Sequence, residues 1–299
     1  SLGGSLRWDL AELPHSTSMT QARDRLGWKT VRLVFRKLAD LLCKQHAPAF
    51  EWRSLPVYAL DGTSFKAADT EANEAAFGRP GASRGKSGFP QLRAIVLMGA
   101  WTHLIAEVVL GPWSVGETKL AADYLLNRLK ANTLILMDRA YFAYGWLVGL
   151  HAKGTFFVVR VKTGPRALKL KKRKRLGPGE YLGRLLCPPY LRNQRKDLPE
   201  FLEVRIVTYQ RKGYRPVTVV TNLLDRVAYP AREVGALYHD RWEVELGYRE
   251  LKIHLGEERV LFRSKKPERV LQEAYGLFLA YNCVRALMAE AAAEVGVEP

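Results

Sequence analysis

The chain has 299 residues, of which 47% are hydrophobic, and its formal net charge is +17. This composition supports one large core or two smaller ones and excludes a disordered chain. The sequence contains no run of about 18 apolar residues and does not open with a signal peptide. We therefore expect a globular cytoplasmic protein that does not bind a membrane. Because the chain starts without methionine in a Gly-rich stretch, we also expect a segment of a longer protein.

Positive charge is concentrated in one part of the chain. Residues 160–215 contain 17 Lys or Arg and 4 acids. Such a block favours a polyanionic partner such as DNA, because each neutralised phosphate releases condensed counterions. A solvated surface run is the alternative.

Cysteine and histidine usage argues against disulfides and zinc. The three cysteines are far apart, which predicts reduced thiols. The six histidines do not pair with them at zinc-ligand spacing.

The predicted elements change character along the chain. Residues 18–46 predict two helices separated at Gly27, and basic side chains on the first helix suit either DNA contact or plain packing. The next runs predict strands at 56–65, 91–102 and 104–113, a helix at 116–130, a strand at 132–142, a helix at 143–154 and a strand at 155–164. Further strands are predicted at 201–210 and 215–224, and helical periodicity returns near Pro230 and continues past residue 252. This order predicts an α/β protein.

Two aspartates directly follow apolar runs. Asp61 follows residues 57–60, and Asp138 follows residues 134–137. We expect both at the carboxyl ends of core strands, the edge at which open α/β sheets bind ligands. With Glu245 from a helix they would form a hard oxygen site for two Mg²⁺ or Mn²⁺ ions. An ordinary turn acid is the alternative for either aspartate alone.

Four side chains share one predicted helix face between residues 238 and 252. Tyr238, Arg241, Glu245 and Lys252 are spaced by three, four and seven residues. At about 100° per residue, this spacing places them on one stripe.

These residues carry a specific resemblance. The stripe is similar to the Y-(2)-R-(3)-E-(6)-K signature of the insertion sequence 4 family of bacterial DDE transposases. The segments LDGT and LMDRAYF, around Asp61 and Asp138, resemble the first and second acidic blocks of that family. Ala140 stands where glycine is more usual. The resemblance covers residues 18–290.

The resemblance implies an RNase H-like catalytic core, a mixed sheet flanked by helices, interrupted by a largely β insertion. The corresponding division is an N-terminal helical segment at 1–50, a core at 51–163 and 226–299, and a basic β-rich insertion at 164–225. It also implies a catalytic, metal-binding triad of Asp61, Asp138 and Glu245.

The implied partner is double-stranded DNA, both transposon ends and target, bound by a homodimer at the bacterial nucleoid. The implied DNA contacts are Tyr238, Arg241, Lys252 and Arg139, and the family's flipped-base step would use Tyr209 or Tyr214 as a stacking partner. We leave that hairpin step open.

Residues 80–87, PGASRGKS, differ from a phosphate-binding loop because Pro80 replaces the first glycine and a helix does not follow. We predict a flexible loop that contacts DNA through Arg79, Arg84 and Lys86, with a plain hairpin as the alternative.

The favoured function is cut-and-paste DNA transposition. A catalytically idle DNA-binding protein derived from a transposase and another RNase H-like nuclease are the competing hypotheses.

Overall fold

The structure is a computed structural model of the chain. It describes residues 16–82, 85–86, 88–165, 167–211, 213–242, 247 and 261–296. Three of the predicted site residues, Arg84, Glu245 and Lys252, lie outside the described residues.

A single mixed sheet contains eleven of the described strands. Its main path runs β6-β5-β2-β7-β8-β12-β11-β10-β9, with β1 and β13 attached to β2. The strands on this path are β2 (Leu55–Ala67), β5 (Gln91–Gly99), β6 (Ile105–Pro112), β7 (Leu134–Met137), β8 (Phe156–Arg160), β9 (Leu170–Gly177), β10 (Glu180–Leu186), β11 (Phe201–Tyr209) and β12 (Val217–Thr221). The short strands are β1 (Glu51–Trp52), β13 (Leu261–Phe262) and the separate hairpin β3 (Gly81–Ala82) and β4 (Gly85–Lys86).

Helices cover both faces of the sheet. They are α1 (Ser16–Gln45), α2 (Glu71–Phe77), α3 (Glu117–Leu120), α4 (Tyr144–Ala152), α5 (Pro189–Gln194), α6 (Ala231–Asp240) and α7 (Pro267–Val295). The helix that begins with α3 continues through Ala121–Leu125 and Leu126–Arg128, and a 3₁₀ turn at Arg139–Tyr141 follows β7. Within the described part of the chain, no helix is long and apolar enough to cross a membrane.

The alternation of side chains along β7 divides the core into two layers. Leu136 packs on the face covered by α1 and α7, together with Phe278. Met137 points to the opposite face, where α4 contributes Trp146. Because successive strand residues face opposite sides, a strand buried on both faces is apolar throughout. The observed sheet confirms the predicted α/β class, a mixed sheet flanked by helices.

The break predicted inside the first helix is confirmed. Gly27 has φ 66° and ψ 161°, outside the helical region, between the two halves of α1. A residue without a Cβ atom adopts this positive φ at little cost. The first half of α1 is also tied to α7, because Arg269 donates two hydrogen bonds of 2.6 Å to Asp24.

The strands of the basic segment 164–225 extend the same sheet. β12 pairs antiparallel with β8, and β11, β10 and β9 follow outward in that order. β9 has the sequence LKKRKRLG, and its five consecutive basic residues, 171–175, are exposed. The division of the chain into core and insertion stays a prediction.

A buried ion pair connects the outer strands β10 and β11. Arg205 of β11 is fully buried and donates to the Glu180 carboxylate of β10 at 2.7 Å. Its guanidinium also donates to the carbonyls of Leu223 and Tyr229, in the connection that leads from β12 to α6. One buried cation thus links two strands to the segment that precedes α6.

Replacing Glu180 with Ala should therefore destabilise the protein by about 3–5 kcal/mol, because it leaves the Arg205 guanidinium buried without its carboxylate. Denaturant unfolding measures this loss. The matched control is Glu203→Ala, since Glu203 forms an exposed pair with Arg184 at 3.6 Å, and exposed pairs contribute about 1 kcal/mol or less. Equal losses in the two variants would contradict a structural role for the buried pair.

Candidate active site

The two predicted aspartates lie side by side on neighbouring parallel strands. β2 and β7 pair in parallel up to Leu60 and Met137. Asp61 and Asp138 are the residues that directly follow this last pair. β7 ends there, and the chain turns away at Asp138. This register therefore brings the two carboxylates together at one edge of the sheet, as expected.

The position of Asp61 within its strand differs from the prediction. We expected Asp61 at the end of a strand, but β2 continues to Ala67. It continues because β5 pairs with it as far as Lys66, and β13 pairs with its last two residues. β7 therefore ends beside Asp61, whereas β2 continues past it.

Backbone amides hold one oxygen of each aspartate. The Gly62 N–H donates to Asp61 Oδ1 at 2.8 Å, and the Ala140 N–H donates to Asp138 Oδ1 at 2.7 Å. Asp138 thereby caps the 3₁₀ turn that carries the exposed Arg139. These bonds orient both carboxylates at the end of β7.

Burial and neighbouring charges perturb Asp61. The pKa of its carboxyl is raised to about 6, mainly by burial. The Gly62 N–H and Arg241 lower this pKa, and the negative charges of Asp138 and Glu117 add to the rise. The Arg241 guanidinium lies 3.8 Å from Asp61 Oδ2. Partly desolvated carboxylates that share one site repel one another.

The predicted stripe is described only in its first half. Tyr238 lies in the last turn of α6 with a buried side chain, and Arg241 follows the helix with a side chain only 12% exposed. The prediction of a regular helix running on from Pro230 is wrong at this point, because α6 ends at Asp240. The amides of Arg241 and Trp242 bond three residues back, which tightens the last turn.

A pocket of about 490 Å³ adjoins Arg241. It is lined by the cations Arg160 and Arg215 and by aromatic side chains. These aromatic residues are Tyr209, Tyr214, Tyr238 and Trp242. Burial raises the pKa of Tyr238 to about 12, so its hydroxyl stays protonated. The pocket combines positive charge with stacking surfaces beside the aspartates.

The loop at residues 79–86 forms a short hairpin through β3 and β4. Arg79 is mostly buried and pairs with Asp69 and Glu74 within the protein. Lys86 belongs to β4, and Arg84 is not among the described residues. Contact of this loop with DNA stays a prediction.

Comparison with known proteins identifies the family of the chain. A family model described as the transposase DDE domain matches residues 52–283, most of the chain. The chain belongs to the DDE transposase family.

Two curated relatives are described by their names as transposases. The transposase InsG for insertion sequence element IS4, from Escherichia coli K12, is 35% identical over 271 residues, covering 90% of this chain and 60% of that protein. The putative transposase InsZ from the same organism is 25% identical over 222 residues, covering 74% of this chain and 70% of that protein. The chain thus spans about 60% of the length of InsG. The prediction that the chain is a DDE transposase is confirmed.

Among solved structures, the piggyBac transposase synaptic complex with hairpin DNA is similar to this chain at a TM-score of 0.49 and 10% identity, covering 81% of this chain and 48% of that chain.

The donor atoms of this DDE transposase domain fit a hard divalent cation. Asp61 and Asp138 offer carboxylate oxygens, the ligands that Mg²⁺ and Mn²⁺ prefer. Among the described side chains, no group of three His, Cys, Asp or Glu could hold a metal ion by itself. The third predicted ligand, Glu245, is not among them.

Three further side chains of the site were not found from the sequence. They are Glu117, whose carboxyl lies against Gly62, Arg93, which lies 3.5 Å from Glu117, and Tyr141, which is buried in the turn after Asp138. Glu117 opens an amphipathic helix, where an acid is ordinary, and Arg93 alternates with apolar residues in β5. The one local signal is Gly62, directly after Asp61, since a glycine in a strand often marks close approach of another group.

Asp61 should make the metal-free protein less stable at neutral pH. The folded state keeps a proton on Asp61 up to about pH 6, whereas the ordinary value is 3.8. The stabilisation that protonated Asp61 gives the folded state below about pH 4 is therefore lost as the pH rises through about 6. Relative to the parent, Asp61→Asn should gain about 3 kcal/mol between pH 4 and pH 8, at about 1.4 kcal/mol per tenfold change in proton affinity.

Denaturant unfolding in EDTA at both pH values measures this difference. The control is Asp123→Asn, because Asp123 is exposed and pairs with Lys119 at 3.3 Å. A constant difference between Asp61→Asn and the parent at the two pH values would contradict the perturbed carboxyl.

Proposed function

We propose that this domain cleaves and joins DNA in cut-and-paste transposition of an insertion sequence. Phosphodiester hydrolysis at a transposon end frees a 3′-hydroxyl, which then attacks a phosphodiester of the target strand. The observation that carries this proposal is the parallel register that places Asp61 beside Asp138, with Arg241 at 3.8 Å from Asp61. The substrate is double-stranded DNA, bound by a homodimer at the bacterial nucleoid.

Asp61, Asp138 and Glu245 would hold two divalent cations, Mg²⁺ or Mn²⁺. When bound, the cations supply Lewis-acid activation and neutralise charge on the attacking and leaving oxygens. The amide donors at Gly62 and Ala140 each bind one oxygen of an aspartate and so orient both carboxylates for this purpose. Family membership and the donor chemistry support the cation class.

Arg241 and the neighbouring pocket would position the DNA strand. Arg241 belongs both to the pocket and to the surroundings of Asp61, so a phosphate held by its guanidinium lies next to the carboxylates. Lys252 would add a second phosphate contact, and the exposed Arg139 a third. Tyr209 and Tyr214 offer stacking faces for an unpaired base in the same pocket.

The exposed basic strand would extend the DNA path away from the site. β9 is the outermost strand on one side of the sheet, and residues 171–175 are all Lys or Arg. Charged edge strands also prevent edge-to-edge association. The density of positive charge favours phosphate contact in addition, because each contact releases counterions.

Single replacement of Asp61, Asp138 or Glu245 with Ala should abolish Mg²⁺-dependent nicking of transposon-end DNA and leave DNA affinity nearly unchanged. Phosphate contacts from basic side chains supply most of the affinity, so removing an acid does not weaken it. Nicking and strand transfer on labelled end DNA, with electrophoretic mobility shifts in parallel, measure both properties. Asp123→Asn is the exposed acidic control.

The competing functions give different results in this assay. An idle DNA-binding protein would bind end DNA and leave it uncut in Mg²⁺. A nuclease without transferase activity would nick the end but would not join it to a target. Near-normal nicking by the Glu245→Ala variant would show that the triad is wrongly assigned.

Replacing Arg241 and replacing basic residues of β9 should differ in their effect on the cleavage rate. Arg241→Ala should lower the slope of log affinity against log salt by about one and also slow cleavage at saturating DNA. Joint replacement of Lys171, Arg173 and Arg175 with Ala should lower the slope by up to about three without slowing saturated cleavage. The control is Lys153→Ala, because Lys153 is exposed and precedes β8, at the end of the parallel strands opposite to the aspartates. An unchanged slope in both variants would show that these cations do not contact DNA.

A further inference from the structure

Glu117 brings a third described carboxylate to the site of Asp61 and Asp138. It is the first residue of α3, directly after the connection that follows β6. Its carboxyl group lies against the backbone of Gly62, where a Cβ atom would overlap the carboxyl carbon. The glycine after Asp61 therefore gives Glu117 the room to approach that aspartate.

Several contacts fix this approach. The Thr118 hydroxyl donates to the Ala140 carbonyl at 3.1 Å, which ties the start of α3 to the turn after Asp138. Arg93 Nη1 lies 3.5 Å from Glu117 Oε1, and its guanidinium stacks 4.4 Å from the centroid of the Trp113 ring. Glu117 is thus held from two sides next to the predicted metal ligands.

A pairing with Arg93 alone does not account for this placement. Burial raises the pKa of the Glu117 carboxyl, and the charge of Asp138 raises it further against Arg93. A partly exposed ion pair contributes little to stability, whereas a third carboxylate beside two others is repelled by them. A bound cation offsets that repulsion.

Tyr141 provides an independent indication of a ligand. Its side chain is fully buried, and among the described residues its hydroxyl has no hydrogen-bond partner. Besides burial, the charges of Glu117, Asp61 and Asp138 raise the pKa of this phenol. A buried hydroxyl without a partner is unfavourable, so a polar group that enters among these carboxylates would satisfy it by accepting a hydrogen bond.

We propose that Glu117 is a positioning residue for the divalent cation that Asp61 and Asp138 would hold. Its carboxylate would accept hydrogen bonds from water bound beside the two aspartates, and the Tyr141 hydroxyl would donate a hydrogen bond at the same place. Direct ligation by all three described carboxylates does not fit, because these side chains form no three-membered metal cluster. Mg²⁺ keeps several of its waters when bound to proteins, and carboxylates outside the direct ligands orient them. This inference rests on the proposed function.

Titration of the metal-free, DNA-free protein with Mn²⁺, followed by electron paramagnetic resonance, tests the proposal. Glu117→Gln keeps the shape and should weaken Mn²⁺ binding by about tenfold or more, as removal of outer-shell partners does elsewhere. Tyr141→Phe, the second variant, should weaken it in the same direction by a smaller factor. Asp123→Asn removes one negative charge, as Glu117→Gln does, and should bind Mn²⁺ as the parent does.

Two further measurements separate the possible failures. Thermal unfolding in EDTA shows whether each variant is folded, and raising the Mg²⁺ concentration should restore nicking by Glu117→Gln but not by Asp61→Asn. Parent-like Mn²⁺ affinity in both Glu117→Gln and Tyr141→Phe, with binding lost in Asp61→Asn, would overturn the role of Glu117 and leave the proposed function intact. A parent protein that does not bind Mn²⁺ would overturn both.

Discussion

The parallel pairing of β2 with β7 is the constraint on which the site depends. Its register aligns Leu60 with Met137, and the residues that follow are the two aspartates. A shift of one residue would move either carboxylate to the opposite face of the sheet. The register is held because the paired segments, residues 57–60 and 134–137, carry apolar side chains on both faces, so a slip would disturb both core layers at once.

The same site concentrates repulsion that the metal-free protein must tolerate. Asp61, Asp138 and Glu117 lie close together and partly buried, and Arg241 and Arg93 offset only part of their charge. Two backbone amides supply the remaining stabilisation of the aspartates. Under the proposed function, a bound divalent cation would offset this repulsion.

Continuity of the sheet connects the charged outer strands to this centre. β12 pairs directly with β8, which is itself the neighbour of β7. The buried Arg205 fastens β10 and β11 to the connection that leads into α6, and α6 delivers Tyr238 and Arg241 to the pocket. DNA held on the outer strands and DNA held at Arg241 would therefore share one rigid frame.

Local patterns were sufficient for the central strands and for the acids that follow their apolar runs. Apolar periodicity depends only on neighbouring residues, so β5, β6, β7 and β8 and the break at Gly27 could be predicted before any contact was known. β9 was missed because its charged residues lack the alternation of a half-buried strand, and its pairing with β10 holds it in the sheet.

The amino-acid sequence by itself determined the family, the fold class and the identity of Asp61 and Asp138 as a pair, because motif residues and periodicity are local. Only the tertiary structure decided that β2 pairs with β5 and β13 beyond Asp61, that α6 ends before Arg241, and that Glu117 lies over Gly62. Each of these depends on which segments meet in space. Strand pairing and the approach of one side chain to a distant backbone are set by packing between segments far apart in the chain, for which the residues nearby carry no signal.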